Sequence, residues 1–161
     1  MAYRFFPMTQ HQAEEIARHW HYDGEYSFYD IEADREDLEE FLDPEQRGEN
    51  YYVVTSGEEL AGFFSYHPVD SQTVDIGLGM KPSLTGGGRG RKFVDAGLNF
   101  AIKSFNPIRI TLSVAAFNER AIKVYEKAGF VRGEPYMQVT NGSSYEFLNM
   151  SCMLKWEPEN E

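Results

Sequence analysis

Apolar residues along the chain fall into short blocks whose period switches between two and about 3.6, as strands alternating with amphipathic helices require. Tyr3–Pro7 (YRFFP) reads as a first strand. Thr9 and Gln12 form a capping box for a helix to about Trp20, with Ala13, Ile16, Ala17 and Trp20 on one face. Residues 21–30 (HYDGEYSFYD) show neither period and predict a structured loop crowded with aromatics. Asp34 caps a short helix over 34–42 that buries Leu38, Phe41 and Leu42, and 44–50 reads as a polar loop. Residues 51–55 and 60–68 predict strands joined by a turn at 56–59. A tight turn at 69–72 leads into the strand Thr73–Met80.

Beyond a glycine-rich stretch, residues 88 to about 103 carry Phe93, Val94, Leu98, Phe100, Ala101 and Ile102 mostly at helical spacing. Gly97 sits inside that helix at a cost of about 1 kcal/mol relative to alanine. Asn106 and Pro107 break it, and 108–114 (IRITLSV) alternate as a strand. A helix joins that strand to Thr73–Met80, so the two run parallel. A further helix over 118–128 ends at Gly129. Strands over 130–140 and 145–154 flank Asn141 and Gly142, a strong hairpin pair, and 157–161 form a polar tail expected to fray. The pattern predicts one α/β domain over 1–161 with a mixed, largely antiparallel sheet.

Composition narrows the function classes. A chain of 161 residues that is 42% hydrophobic and 15% aromatic can bury a substantial core. No apolar run reaches membrane-spanning length and the N-terminus lacks a signal-peptide layout, so no membrane partner is expected. Cys152 is the single cysteine, which excludes an internal disulfide and a cysteine-rich zinc site, and no metal is expected. These features suit a cytoplasmic protein, where the sequons at Asn141 and Asn149 carry no meaning. The net charge of −11 argues against nucleic acid. Residues 1–60 hold 16 acidic and 4 basic side chains, whereas 81–132 hold 10 basic and 3 acidic. A basic half could meet a polyphosphate and an acidic half a cationic substrate; alternatively, the acids are solvated helix faces.

The chemistry concentrates at Thr73 to Gly90, TVDIGLGMKPSLTGGGRG, a strand that empties into glycines and opens onto a helix. Glycines at 86, 88 and 90 let a ligand approach the backbone, and the helix start favours an anion beside Arg89, Arg91 and Lys92. Neither the P-loop pattern nor a G-x-G-x-x-G fingerprint occurs in any register. One strand further lies NERAIKVYEKAGF, from Asn118 to Phe130.

These two stretches, in this order, resemble motifs A (Q/R-x-x-G-x-G/A) and B of the GCN5-related N-acetyltransferases (GNATs). The resemblance is strong from Leu60 to Leu154 and rests on element order before that. It implies an α/β (α+β) domain with a mixed, mostly antiparallel six- to seven-stranded sheet and about four helices. Strands 73–80 and 108–114 would splay into a V. Residues 1–60 would form the acceptor side, 73–130 the acetyl-CoA-binding core and 130–155 a C-terminal hairpin.

The implied activity is direct transfer of acetyl from acetyl-CoA, a cosubstrate, to a primary amine of a small molecule, amino acid or peptide N-terminus. Gly86, Gly87, Gly88, Gly90, Arg89, Arg91 and Thr85 would meet the pyrophosphate. Leu78, Gly79 and Met80 would pair with pantetheine, and the Met80 N–H would face the developing oxyanion. Thr85 departs from the family's glutamine or arginine. Tyr125 matches the general acid that protonates the thiolate, although its spacing from Ala121 and Ile122 also fits core packing. Asn118 matches a pantetheine contact and equally an N-cap. Asp75 stands where one branch carries a general-base glutamate; as the shorter acid it would act through water, or it is a strand-surface charge. A second branch keeps its glutamate where this chain has Ser113. Tyr22, Tyr26, Phe28 and Tyr29 would line the acceptor pocket or simply cover the core. A longer acyl donor, or a catalytically silent CoA-binding module, are the alternatives, and the C-terminal strands offer an edge for a homodimer.

Overall fold

Seven strands form one sheet in the order β1-β2-β3-β4-β5-β7-β6, and only β4 with β5 runs parallel. The computed structural model describes residues 2–154, so the tail expected to fray lies outside the described residues. The strands are β1 (Tyr3–Pro7), β2 (Tyr51–Ser56), β3 (Glu59–Pro68), β4 (Thr73–Met80), β5 (Arg109–Ala115), β6 (Val131–Thr140) and β7 (Ser143–Met153). Helices α1 (Gln10–His19), α2 (Arg35–Leu42), α3 (Pro44–Arg47), α4 (Arg89–Phe105) and α5 (Glu119–Lys127) accompany them.

Period-two alternation divides the strands between two cores. Val53 and Phe63 pack with Ala13, Ile16, Ala17, Trp20 and Phe41 of α1, its C-cap and α2 on one face. Their neighbours Val54 and Phe64 pack with Phe93, Val94, Leu98 and Ala101 of α4 and Ile122 of α5 on the other. The Thr9 hydroxyl accepts from the Gln12 N–H while Gln12 Oε1 accepts from the Thr9 N–H, closing the expected capping box. Asp34 likewise caps α2 through the Asp37 N–H.

Two segments differ from expectation. Residues 44–47 form a helical turn rather than polar loop, because Asp43 accepts from the Glu45 N–H and Pro44 pre-sets the first position. Arg47 of that turn is buried, donating to the Phe41 carbonyl at 2.6 Å and to Gln10 Oε1 at 2.8 Å. Within 21–30, Gly24–Tyr29 wind into a 3₁₀ turn, followed by a second at Ile31–Ala33. Such turns leave no amphipathic period to detect.

Gly97 marks where α4 lies against the sheet. A β-carbon there would stand 2.2 Å from the ring of Phe64, which is wholly buried and stacked on Phe93 at 4.8 Å. The Tyr66 hydroxyl donates to the Gly97 carbonyl at 2.9 Å from the same side. Close approach therefore overrides the helix propensity that disfavours glycine. Gly97→Ala should destabilise the fold by about 1–3 kcal/mol through overpacking, although propensity alone predicts a gain of about 1 kcal/mol. Urea unfolding of the two proteins reads the sign directly.

Candidate functional site

After β4 the chain makes a short turn at Pro82–Leu84 and enters the glycine run. Gly86, Gly87 and Gly88 have φ of 82°, 63° and 78°, three successive residues in the left-handed region that a side chain would strain. Gly88 is the N-cap of α4 and offers no side chain to its first turn; the Arg89 N–H bonds the Gly86 carbonyl at 3.3 Å, and no side chain caps the N–H groups that follow. The helix dipole adds to their attraction for an anion. A β-carbon at Gly86 or Gly88 would meet nothing within 4 Å, so the space above the loop is open.

The loop closes one end of a cavity of about 700 Å³ that crosses the plane of the sheet. Trp20 and Phe63 line it from one face, Phe93 and Val124 from the other. It can cross because β4 and β5 pair only at Thr73–Asp75 with Arg109–Thr111 and then part, which is the expected splay. The Lys81 N–H bonds the Ala61 carbonyl at 2.8 Å, so alternation turns the N–H and C=O of Met80 and Leu78 away from β3 and toward the gap. An extended amide chain laid along β4 would meet those groups as an added strand does.

Three tyrosines crowd the opening. The Tyr22 hydroxyl donates to the Met80 carbonyl at 2.7 Å. The Tyr29 hydroxyl accepts from the Ala115 N–H at 3.2 Å, bridging to the β5 side. Tyr125 of α5 lines the floor and also packs edge-on against Phe130 at 6.0 Å. Burial pushes the hydroxyls of Tyr22 and Tyr125 well above the usual phenol range, with Asp30 adding to the first and Tyr29 to the second. Burial raises Tyr29 too, against an opposing hydrogen bond from Asn118. All three are neutral at physiological pH and able to donate a proton. Asn118 caps α5 by accepting from the Ala121 N–H, so one of its two expected roles is visible in the fold.

Most of the residues expected at the site line this one cavity: Tyr22, Tyr26, Tyr29, Leu78, Gly79, Met80, Thr85, Gly86, Gly87, Gly88, Gly90, Arg91, Asn118 and Tyr125. Asp75, Phe28 and Arg89 do not. Asp75 sits where β4 and β5 are still paired, and the Thr111 hydroxyl donates to it at 2.7 Å, so the expected base lies before the splay opens. Phe28 points into a separate shallow cavity beside Phe117 and Tyr145, bracing Tyr29 edge-on at 5.2 Å. Arg89 folds back so that its Nε donates to the Leu84 carbonyl. The Thr85 hydroxyl donates to the Pro82 carbonyl at 2.7 Å, and Arg91 is paired with Asp95.

Sequence reasoning missed Asp37, Glu40, Tyr51, Ser65, Arg120 and Lys127, which also line the cavity. The guanidinium of Arg120 lies 4.3 Å from the centre of the Tyr26 ring, a cation–π contact that ties α5 to the 3₁₀ turn. Its signal was spread over residues far apart in the chain.

A family model described as "Acetyltransferase (GNAT) domain" matches residues 4–131. No curated protein matches the chain. Among solved structures it resembles AAC(6')-Ib in complex with ribostamycin and coenzyme A, with 20% identity, a TM-score of 0.72, and 95% of this chain and 94% of that one covered. It also resembles a spermidine N-acetyltransferase from Vibrio cholerae in complex with CoA and spermine, at 16% identity and TM-score 0.70, covering 94% and 95%. A third, an acetyltransferase (GNAT family) from Bacillus anthracis, has 15% identity and TM-score 0.69, with 94% of each chain covered.

One exposed histidine secures the Tyr22 wall. His21 Nδ1 lies 3.1 Å from Asp30 Oδ2 and Nε2 lies 2.8 Å from the Arg18 carbonyl, so only the imidazolium donates to both. Asp30 Oδ1 accepts from the Tyr22 N–H at 2.8 Å. The Asp30 hydrogen bond, then the Arg18 carbonyl, raise the His21 pKa above 6.5. The staple's contribution is therefore complete below pH 6.5 and is lost as pH rises through the higher folded value. Proton NMR titration should place the His21 midpoint above 6.5, and Asp30→Asn should lower it; an unshifted midpoint in the native chain contradicts the staple.

Proposed function

This chain belongs to the acetyltransferase (GNAT) domain family, and from that premise we propose that it is an N-acetyltransferase moving acetyl from acetyl-CoA to a primary amine. One observation carries the reading: three left-handed glycines open onto the N-terminus of α4 at the end of a cavity that crosses the sheet at the β4/β5 splay. The residues present fit acetyl-CoA. Backbone N–H groups of Gly86–Gly88 and the first turn of α4 would hold the pyrophosphate, with Arg91, Arg120 and Lys127 as nearby cations. The gap-facing backbone of Leu78 and Met80 would take the pantetheine arm.

In the transfer, the lone pair of a neutral amine attacks the thioester carbonyl carbon, forming C–N as C–S breaks. The amine nitrogen releases a proton to solvent, the departing thiolate takes one from Tyr125, and Tyr125 is reprotonated from solvent, so that it ends neutral as it began. The Met80 N–H would receive the negative charge that grows on the carbonyl oxygen. Tyr22, by holding the Met80 carbonyl, would fix the orientation of that strand end. Cys152 is buried, outside the cavity lining, and burial raises its thiol pKa, so direct transfer is favoured over an acyl-enzyme. A single reduced cysteine also suits a cytoplasmic setting.

Calorimetry with CoA and thiol release from acetyl-CoA across a panel of amines test this. CoA should bind and at least one amine should be turned over. Binding with no turnover on any amine supports a silent acyl-CoA module, and no binding at millimolar CoA overturns both. Tyr125→Phe should lower kcat about tenfold or more while leaving acetyl-CoA affinity within about twofold; an unchanged kcat removes its assigned role.

A further inference from the structure

Asp37 and Glu40 are the only acidic side chains among the described residues that line the cavity. They lie three residues apart on α2, on one face of the helix. The basic lining, Arg91, Arg120 and Lys127, belongs to α4, α5 and the other face of the sheet. The cleft is thus polarised, with cations where an anionic cofactor arm would enter and carboxylates on the acceptor wall.

Asp37 and Glu40 also remain exposed to solvent. Neither takes part in a salt bridge among the described residues, where Arg35 pairs with Glu39 and Lys81 with Glu59. Arg47 directs its N–H groups to the neutral acceptors Phe41 O and Gln10 Oε1, and its charge still acts on Tyr51. Asp34, which adds further negative charge nearby, is occupied by the Asp37, Thr140 and Asn141 donors. Burial, then repulsion from Asp34, Glu40 and Glu36, raises the Asp37 carboxyl above the usual carboxylate range. The Tyr51 hydroxyl at this end is raised by burial, Glu40 and Asp37, against a hydrogen bond with Ser65 and the charge of Arg47. The α2 end of the cavity therefore carries negative charge that a bound cation would complement, while the three cations sit on the other side.

That cation is not the reacting nitrogen. An amine must be neutral to attack a carbonyl, and two carboxylates holding it as ammonium would oppose the reaction. Trp20, Phe41, Tyr51 and Phe63 line the space with rings, a surface suited to a methylene chain and to cation–π contact at its end. On the reading of this cleft as an acetyl-transfer site, we infer that the acceptor is a dication of the diamine type. One amine is delivered neutral at Met80, and the second is held as ammonium between Asp37 and Glu40. These two residues bind and select; they do not touch the reacting atoms.

The test titrates 1,4-diaminobutane and 1-aminobutane into the protein, with and without CoA, for the native chain and D37N, E40Q and the double variant. The diamine should bind the native chain at least tenfold more tightly than the monoamine. The double variant should lose about ten- to hundredfold of that preference, the worth of a charge-assisted hydrogen bond. In turnover, the loss should appear in KM for the diamine more than in kcat, a split that a misfolded or base-deficient enzyme would not give. Equal binding of the two amines by the native chain overturns the inference, and so does a double variant that keeps the preference. A selective diamine site without acetyl transfer upholds the ammonium site at Asp37 and Glu40 and overturns the transfer reading on which its acceptor role rests. Transfer without diamine preference does the reverse. Native selectivity decides alone should the double variant fail to fold.

Discussion

Beyond Asp75 the sheet stops pairing along one side of β4, and that departure governs the remainder of the molecule. A strand in the middle of a sheet ordinarily spends every N–H and C=O on its neighbours, and an unspent buried group costs roughly 1–3 kcal/mol. Here Leu78 and Met80 turn theirs toward a gap instead. The chain meets that deficit with side chains brought from elsewhere: Tyr22 reaches the Met80 carbonyl, and Tyr29 reaches the Ala115 N–H on the β5 side. Both come from the segment between α1 and α2, so that connection is what keeps an open sheet from being an unsatisfied one. A ligand that paired with β4 would satisfy the same backbone.

Local rules carried a large part of the fold. The capping box at Thr9 and Gln12 and the Asp34 cap are chemistry within four residues, and each is present as the sequence implies. Asn141 and Gly142 sit at the β6–β7 turn with φ of 51° and 79°, the left-handed values such a pair supplies. The glycine run was legible for the same reason: its conformation is written in the residues themselves. Asp43 and Pro44 carried an equally local signal for α3, hidden only by the polarity of residues 45–50.

What was illegible depended on register and on distance. Asp75 matched a family position by its place before Pro82, but where two parallel strands part is set by tertiary packing, and here they part just after it. Phe28 and Tyr29 are neighbours in sequence yet serve different cavities, because a 3₁₀ turn of three residues per turn swings them apart. Asp37 and Glu40 read as the solvated face of a short helix, and only the placement of α2 beside β2 and β3 turns that face toward a cleft.

The missing β-carbon of residue 97 reaches further than its own contact. It lets α4 settle onto the Phe64 ring, and a helix is a rigid rod over this length. Residue 89, at its start, lies eight positions away, about 12 Å along the axis at 1.5 Å per residue. The height of that rod above the strands is therefore also the height of its electropositive pole above the glycines. An aromatic ring in the middle of the core acts as the shim beneath that pole, gauging its depth from well inside the fold.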